Sequence, residues 1–163
     1  MKAAFLLVIG VALVAIPAAA SAQAHHDYSG KWALSQSKST PGAAGNGATI
    51  SFGSELVITQ TATELKVEAR FPRVEETQTM VFKFDGSEVT HPLSEGVVEK
   101  AKAVWDGDKV MITARRVVST QFGDFVSETK ETWTRSGNLL TIDKTVSSDG
   151  FTDTQKAVFD RQP

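Results

Sequence analysis

The sequence contains no cysteine, and histidine is scarce, with three residues in the chain. Disulfides, a lipid-modified bacterial lipoprotein cysteine and thiol catalysis are therefore excluded. His25 and His26 lie in a polar N-terminal tail, and His91 stands beside Pro92 in a predicted loop. Single carboxylates such as Glu128 and Glu131 are expected to be solvated. With no nucleophile in a recognisable strand-turn-helix frame, we expect no catalytic residue, metal or cofactor.

Neither sign of charge dominates the composition. The chain has 17 lysine and arginine residues against 19 aspartate and glutamate residues, a formal net charge of −2. A slightly acidic chain offers no broad basic surface for a phosphate backbone. We therefore do not expect nucleic acid as a partner.

Long hydrophobic runs are absent except for the segment 3–16, which follows Lys2. This run is shorter than the roughly 20 residues that cross a bilayer. Pro17 and a series of small residues follow it, with Ala-x-Ala cleavage sites after Ala22 and Ala24. The pattern predicts a cleaved signal peptide over 1–24 and one exported, soluble domain over 25–163, in the periplasm or secreted. Cleavage after Ala22 would place His25 third, a possible square-planar Cu(II) or Ni(II) site.

Apolar and polar side chains alternate along most of the chain after Glu55. In the segment 64–71, for example, Leu65, Val67 and Ala69 alternate with charged residues, as in a strand with one buried and one solvated face. Asp-Gly and Ser-Gly-Asn turns between such segments indicate antiparallel hairpins. The stretch from Gln36 to Gly53 shows neither the periodicity of a helix nor that of a strand. It therefore predicts a long loop, which is a candidate flap.

Many short strands in one open sheet would leave two unpaired edges, and closure removes them. We therefore predict an all-β, up-and-down antiparallel β-barrel of about eight to ten strands, with a two-sheet sandwich as the alternative. A barrel embedded in a membrane would turn an apolar face outward, whereas the solvated face here is charged. It carries Lys66, Glu68, Arg70, Lys100, Lys102 and Arg115.

The opening of the domain, Tyr28-Ser29-Gly30-Lys31-Trp32-Ala33-Leu34 followed by Lys38-Ser39, resembles the start of exported bacterial lipocalin-like proteins. More distantly it resembles the Gly-x-Trp opening of the calycin group, which includes lipocalins and fatty-acid-binding proteins. The resemblance implies a lipocalin-like barrel whose base is closed by Trp32, with an arginine near the end of the last strand packed over it. Arg161 stands at that place, so the resemblance implies that Gly30, Trp32 and Arg161 are structural residues of barrel closure.

The inward-facing series of the predicted strands contains many alanines. Small inward side chains leave volume for a ligand, but small residues alternating with large ones also fill an ordinary core, so both interpretations stay open. Arg116 and Lys144 continue inward series and are candidate anchors for a carboxylate. The candidate lumen residues are Phe82, Phe84, Ala101, Ala103, Trp105, Ile112, Ala114, Arg116, Trp133 and Lys144.

Three functions remain compatible with the sequence. The first is an exported lipocalin-like protein that holds a small apolar or amphiphilic molecule in the barrel. The second is a packed barrel that acts as an interaction or structural protein of the cell envelope and binds no ligand. The third is an enzyme that uses the barrel mouth, for which the residues give the least support.

Overall fold

The two-residue alternation of the sequence forms a barrel of ten β-strands in the computed structural model, which describes residues 25–43, 52–71 and 76–163. A short 3-10 helix spans Gln36–Lys38, and these described residues contain no α-helix and no helix long and apolar enough to cross a membrane. The strands are β1 Gly30–Leu34, β2 Glu55–Gln60, β3 Glu64–Arg70, β4 Gln78–Lys83, β5 Val89–Ser94, β6 Val97–Asp106, β7 Lys109–Thr120, β8 Gly123–Ser136, β9 Leu139–Ser148 and β10 Phe151–Arg161.

The strands form one antiparallel sheet in the order β4-β3-β2-β1-β10-β9-β8-β7-β6-β5. The first and last strands pair with each other, with Trp32 opposite Arg161 and Leu34 opposite Phe159. Every other pairing joins strands that are consecutive in the chain. This arrangement confirms the predicted up-and-down antiparallel barrel, and the only break in the ladder of described strands lies between β4 and β5.

The gap between β4 and β5 is bridged by a histidine side chain. His91 lies in β5 and is 5% exposed, so the prediction that it stands in a loop is wrong, because the alternation of β5 continues through Pro92. Its Nε2 lies 2.8 Å from the carbonyl oxygen of Val81 in β4 and 3.3 Å from the amide nitrogen of the same residue. The imidazole also packs edge-on against Phe82. One side chain thus takes the place of a ladder hydrogen bond at the seam.

We expect His91→Leu to loosen this seam while leaving the rest of the sheet paired. The loss of one buried hydrogen bond costs about 1 kcal/mol, with a further penalty because the Val81 carbonyl loses its partner. Hydrogen exchange measured residue by residue should show faster exchange in β4 and β5. Exchange in the β7–β8 hairpin serves as the internal control. Equal protection of the seam amides in both proteins would contradict the assigned role.

Inward-facing residues form a continuous core that fills the barrel at one end. Trp32, Leu65, Val110, Leu140 and Phe159 are all at most 1% exposed. The outward series, including Lys66, Arg70 and Lys102, is exposed, as the alternation predicts. Successive turns of an up-and-down barrel alternate between its two ends. We call the end near Trp32 the closed end and the opposite end the mouth end.

Trp32 is buried at its end of the barrel between polar neighbours. Its Nε1 donates to the Tyr28 carbonyl at 3.0 Å, and the guanidinium carbon of Arg161 lies 5.6 Å from the centre of its ring. Arg161 also donates to the Ser29 carbonyl at 3.0 Å. Gly30 has a φ of +137°, and a Cβ at this position would lie 3.2 Å from the Arg161 guanidinium. The glycine therefore permits the backbone turn and the close approach of the arginine.

Tyr28, the single tyrosine of the sequence, is fully buried beside this tryptophan. Its hydroxyl donates to the Trp133 carbonyl at 2.9 Å, and burial raises its pKa to about 12. Because the folded-state pKa lies above the unfolded value, stability is fully present below pH 10 and falls as the pH rises from about 10 to 12. A shift of this size corresponds to roughly 2 to 3 kcal/mol.

We therefore expect tyrosinate absorbance to titrate near pH 12 in the native protein and near pH 10 in denaturant. The Tyr28→Phe variant should lose the decline in stability over this range, because it has no phenol to ionise. Chemical denaturation at several alkaline pH values gives the free energies of unfolding. A native titration midpoint at the ordinary value would show that the phenol is not held as the structure indicates.

Candidate functional site

The inner face of the barrel has two chemical zones along its axis. Toward the closed end it is apolar, with Val110, Trp133 and Ile142 side by side on neighbouring strands β7, β8 and β9. Toward the mouth end the same strands turn charged residues inward. Because strand side chains alternate faces, residues an even number of positions apart along a strand share the inner face. Glu131 and Lys144 stand two positions from Trp133 and Ile142, and Arg116 stands six positions from Val110. The lumen is therefore amphiphilic.

One ion pair lies deep in the barrel wall, between β8 and β9. The Lys144 ammonium is 3.4 Å from Glu131 Oε1, and both side chains are nearly buried, at 12% and 14% exposure. The Trp133 indole donates to the other carboxylate oxygen at 2.9 Å. Lys144 Nζ also lies 5.0 Å from the centre of the Phe52 ring. Each charge thus has a compensating partner in a poorly solvated place.

A second ion pair lies nearer the mouth, between β6 and β7. Arg116 donates through Nε at 3.0 Å and through Nη2 at 2.7 Å to the same oxygen of Glu99. Glu99 is buried, whereas the Arg116 side chain is 42% exposed. His91 Nδ1 lies 4.0 Å from the other Glu99 oxygen and has no hydrogen-bond partner among the described residues. Arg116 therefore still presents donors to solvent at the mouth end.

A narrow cavity of about 70 Å³ runs between the apolar zone and the charged zone. Its apolar lining includes Leu56, Val67, Ala69 and Ile142. Both ion pairs contribute to its polar lining, together with Gln78 and Thr129. The volume is that of about two water molecules in the liquid, whereas sites for drug-sized ligands span about 300 to 1,000 Å³. A larger molecule would have to displace side chains from the lumen.

The structure brings six of the ten predicted lumen residues to this cavity. They are Phe82, Ile112, Ala114, Arg116, Trp133 and Lys144. Ala101 and Ala103 are buried in the core but do not line the cavity. Phe84 and Trp105 lie at the closed end, where Trp105 stacks on His25 at 4.1 Å between ring centres. The predicted polar tail therefore packs against the barrel over the described residues, beginning at His25.

Two residues of the site, Glu131 and Glu99, face inward although the sequence analysis does not predict it. The expectation that Glu131 is solvated is wrong, because this residue shares the inward phase of Trp133 two positions later on β8. That phase is visible in the sequence. Glu99 likewise precedes Ala101 and Ala103 by steps of two. A charged residue in phase with a buried tryptophan predicts an inward charge, and it needs a partner on a neighbouring strand.

No group of three or more potential metal ligands occurs among the described residues. The possible square-planar metal site at the N-terminus depends on Gln23 and Ala24, which lie outside the described residues, as does the predicted signal peptide. Residues 44–51 of the candidate flap also lie outside them. Its ends are held by Thr40, which pairs with Lys156, and by Ser54, whose amide donates to the Arg70 carbonyl at 2.8 Å.

No protein-family model matches the sequence, and no curated protein matches it. Several solved structures resemble the fold, among them the following two. Zebrafish ileal bile acid-binding protein, complexed with cholic acid, has a TM-score of 0.57 at 16% identity, covering 83% of this chain and 98% of that one. Secretory abundant heat soluble protein 4 from Ramazzottius varieornatus has a TM-score of 0.52 at 20% identity, covering 83% and 94%. The chain has a calycin-type β-barrel fold. At these identities the likeness concerns the fold alone.

Proposed function

We propose that this calycin-type barrel is an exported lipocalin-like protein that holds a small amphiphilic molecule in its lumen. The observation that supports the proposal is the division of one cavity into an apolar zone and a charged zone. Such a cavity suits a ligand whose apolar body lies against Leu56, Val67 and Ile142 and whose polar head lies near the ion pairs. The apolar part alone contributes about 0.8 kcal/mol per buried methylene.

The charge arrangement restricts the polar head. Lys144 and Arg116 each have a carboxylate partner, so a ligand carboxylate would compete with a protein carboxylate already in place. Arg116 is the more available of the two cations, because its side chain is 42% exposed. We therefore propose Arg116 as the head-group contact and the deeper Glu131–Lys144 pair as a hydrogen-bonding partner for hydroxyls. Zebrafish ileal bile acid-binding protein holds cholic acid, which carries both kinds of group.

The small cavity volume favours the second candidate, a packed barrel that interacts with other molecules only through its surface. Ligand entry requires displacement of lumen side chains, for which the half-buried Phe52, Phe71 and Met80 are placed along the cavity wall. A packed barrel requires no such movement. The two candidates therefore differ in whether an amphiphile can reach the Trp133 indole.

A titration of the purified protein with cholate, palmitate and hexadecanol distinguishes these candidates. Ligand binding in the lumen should change the fluorescence of Trp133 and give saturable heat by calorimetry. Ala114→Leu, which adds bulk to the cavity lining, should weaken binding at least tenfold, whereas Thr113→Leu on the exposed outer face is the matched control. The absence of binding for all three compounds, or equal binding by both variants, would refute the proposal in favour of the packed barrel.

Export belongs to the same proposal and has a separate test. Mass spectrometry of the protein recovered from outside the cytoplasm of its host should show a chain that begins at Gln23 or at His25. Native mass spectrometry of that sample would also give the mass of any retained molecule. Recovery of the protein only in the cytoplasm, with Met1 in place, would refute export.

A further inference from the structure

Three phenylalanine side chains lie in water at one end of the barrel. Phe122 is 85% exposed, Phe125 is 54% exposed and Phe151 is 52% exposed. The other phenylalanines of the described residues are buried or half-buried. Phe122 stands in the turn between β7 and β8, and Phe151 begins β10 just after the turn that follows β9. These three residues are called the phenylalanine collar.

The phenylalanine collar lies at the mouth end. The β7–β8 and β9–β10 turns are both at the end opposite Trp32, as the alternation of turns in an up-and-down barrel requires. A hydrogen bond of 2.8 Å from the Ser148 hydroxyl to the Val126 carbonyl joins the two hairpins near their tips. Phe125 pairs with Val118 across the hairpin, in the same inward phase as Arg116. Phe125 therefore continues the lumen face beyond the barrel rim.

The charged residues within the two hairpin tips of the collar are acidic. Between Ser119 and Phe125, and between Ser147 and Thr152, the charged residues are Asp124 and Asp149, with no lysine or arginine. Zwitterionic lipids present an ammonium group outward, which suits these two carboxylates, whereas an anionic surface would repel them. Phenylalanine has no polar group and gains free energy when its ring leaves water for the boundary between lipid head groups and acyl chains. Separate hairpin tips can also enter a lipid surface without a shaped partner.

We propose that the phenylalanine collar docks the mouth of the barrel on a zwitterionic lipid bilayer, with the collar side chains among the head groups. This inference rests on the proposed function, because docking at the mouth lets a poorly soluble amphiphile pass between bilayer and lumen without crossing water. The Glu99–Arg116 pair then stands directly below the docked surface, at the depth where a polar head would enter.

Flotation with phosphatidylcholine vesicles tests the docking surface. We expect the protein to float with these vesicles, to keep most of its binding at high salt because burial of the phenylalanines dominates, and to bind less when phosphatidylglycerol is added. The double variant Phe122→Ser with Phe151→Ser should lose at least tenfold in binding. Val104→Ser is the matched control, since Val104 is an exposed apolar residue, at 45%, near the closed end. No binding to phosphatidylcholine, or equal binding by the double variant, would overturn the proposal.

Two further measurements, light scattering and cholate titration without vesicles, distinguish the remaining explanations. If light scattering shows a dimer that the double variant loses and no vesicle binding, the collar contacts a second copy of the chain and the lipid proposal fails. Cholate titration without vesicles should give the same affinity for the protein and its double variant. If neither binds cholate while vesicle binding still depends on the collar, the proposed ligand function fails and the docking surface stands.

Discussion

Replacing Trp32 with alanine is expected to cost about 3 to 5 kcal/mol of the free energy of unfolding, a large part of the roughly 5 to 15 kcal/mol that stabilises a typical domain. The indole is 1% exposed and lies at the junction of β1 with β2 and β10. Its removal leaves a cavity at the closed end, an unpaired Tyr28 carbonyl and an Arg161 guanidinium without its aromatic surface. Urea denaturation followed by circular dichroism measures the loss.

Trp105→Ala provides the matched control. Trp105 is also a closed-end tryptophan, but it is half-buried and packs against His25 and Phe84 at the rim. We expect this variant to lose clearly less stability than Trp32→Ala. Equal losses in the two variants would show that closure depends on tryptophan burial in general and not on the Trp32–Arg161 arrangement.

Replacing Glu131 with alanine is expected to have an effect of similar size for an electrostatic reason. It leaves the Lys144 ammonium, 12% exposed, without its carboxylate, and breaking a buried ion pair from one side costs about 3 to 5 kcal/mol. The Trp133 indole also loses its acceptor. The loss should appear as a lower midpoint of urea denaturation with little change in its slope.

The double replacement Glu131→Met with Lys144→Met should restore most of that stability, because two apolar side chains of similar volume leave no buried charge. If the pair serves as the hydrogen-bonding partner of a ligand, the stable double variant should still bind cholate more weakly than the unmodified protein. If Glu131→Ala were as stable as the unmodified protein, water would have to reach Lys144, and the pair would not be as buried as the side-chain exposures indicate.

The Glu131–Lys144 pair also helps to distinguish the two candidate functions, a barrel that holds an amphiphilic molecule and a packed barrel. We expect methionine in both places to give an ordinary apolar core, and in that case the charges are not required for folding in themselves. Their position on the cavity wall, and not in the filled closed end, agrees with a role toward a polar molecule. The cholate titration of the double variant therefore tests function and stability separately.

The sequence by itself determined the strands and the class of fold. Period-two alternation in segments such as Leu65–Ala69 marks a strand whatever its neighbours are, because it depends only on local geometry. The same alternation placed Arg116 and Lys144 on the inner face. It carries the information for Glu131 as well, since Glu131 is in phase with Trp133. The partner of Glu131 stands on another strand, however, so the local sequence predicts a solvated carboxylate.

Only the tertiary structure decided which charges meet and how much space remains between them. Strand register pairs Glu131 with Lys144 and Glu99 with Arg116, and register arises from the turns and the packing of the whole sheet. The placement of His91 across the seam likewise required the two sheet edges to approach each other. The cavity volume depends on how the inward side chains interlock in three dimensions, which one-dimensional alternation does not encode.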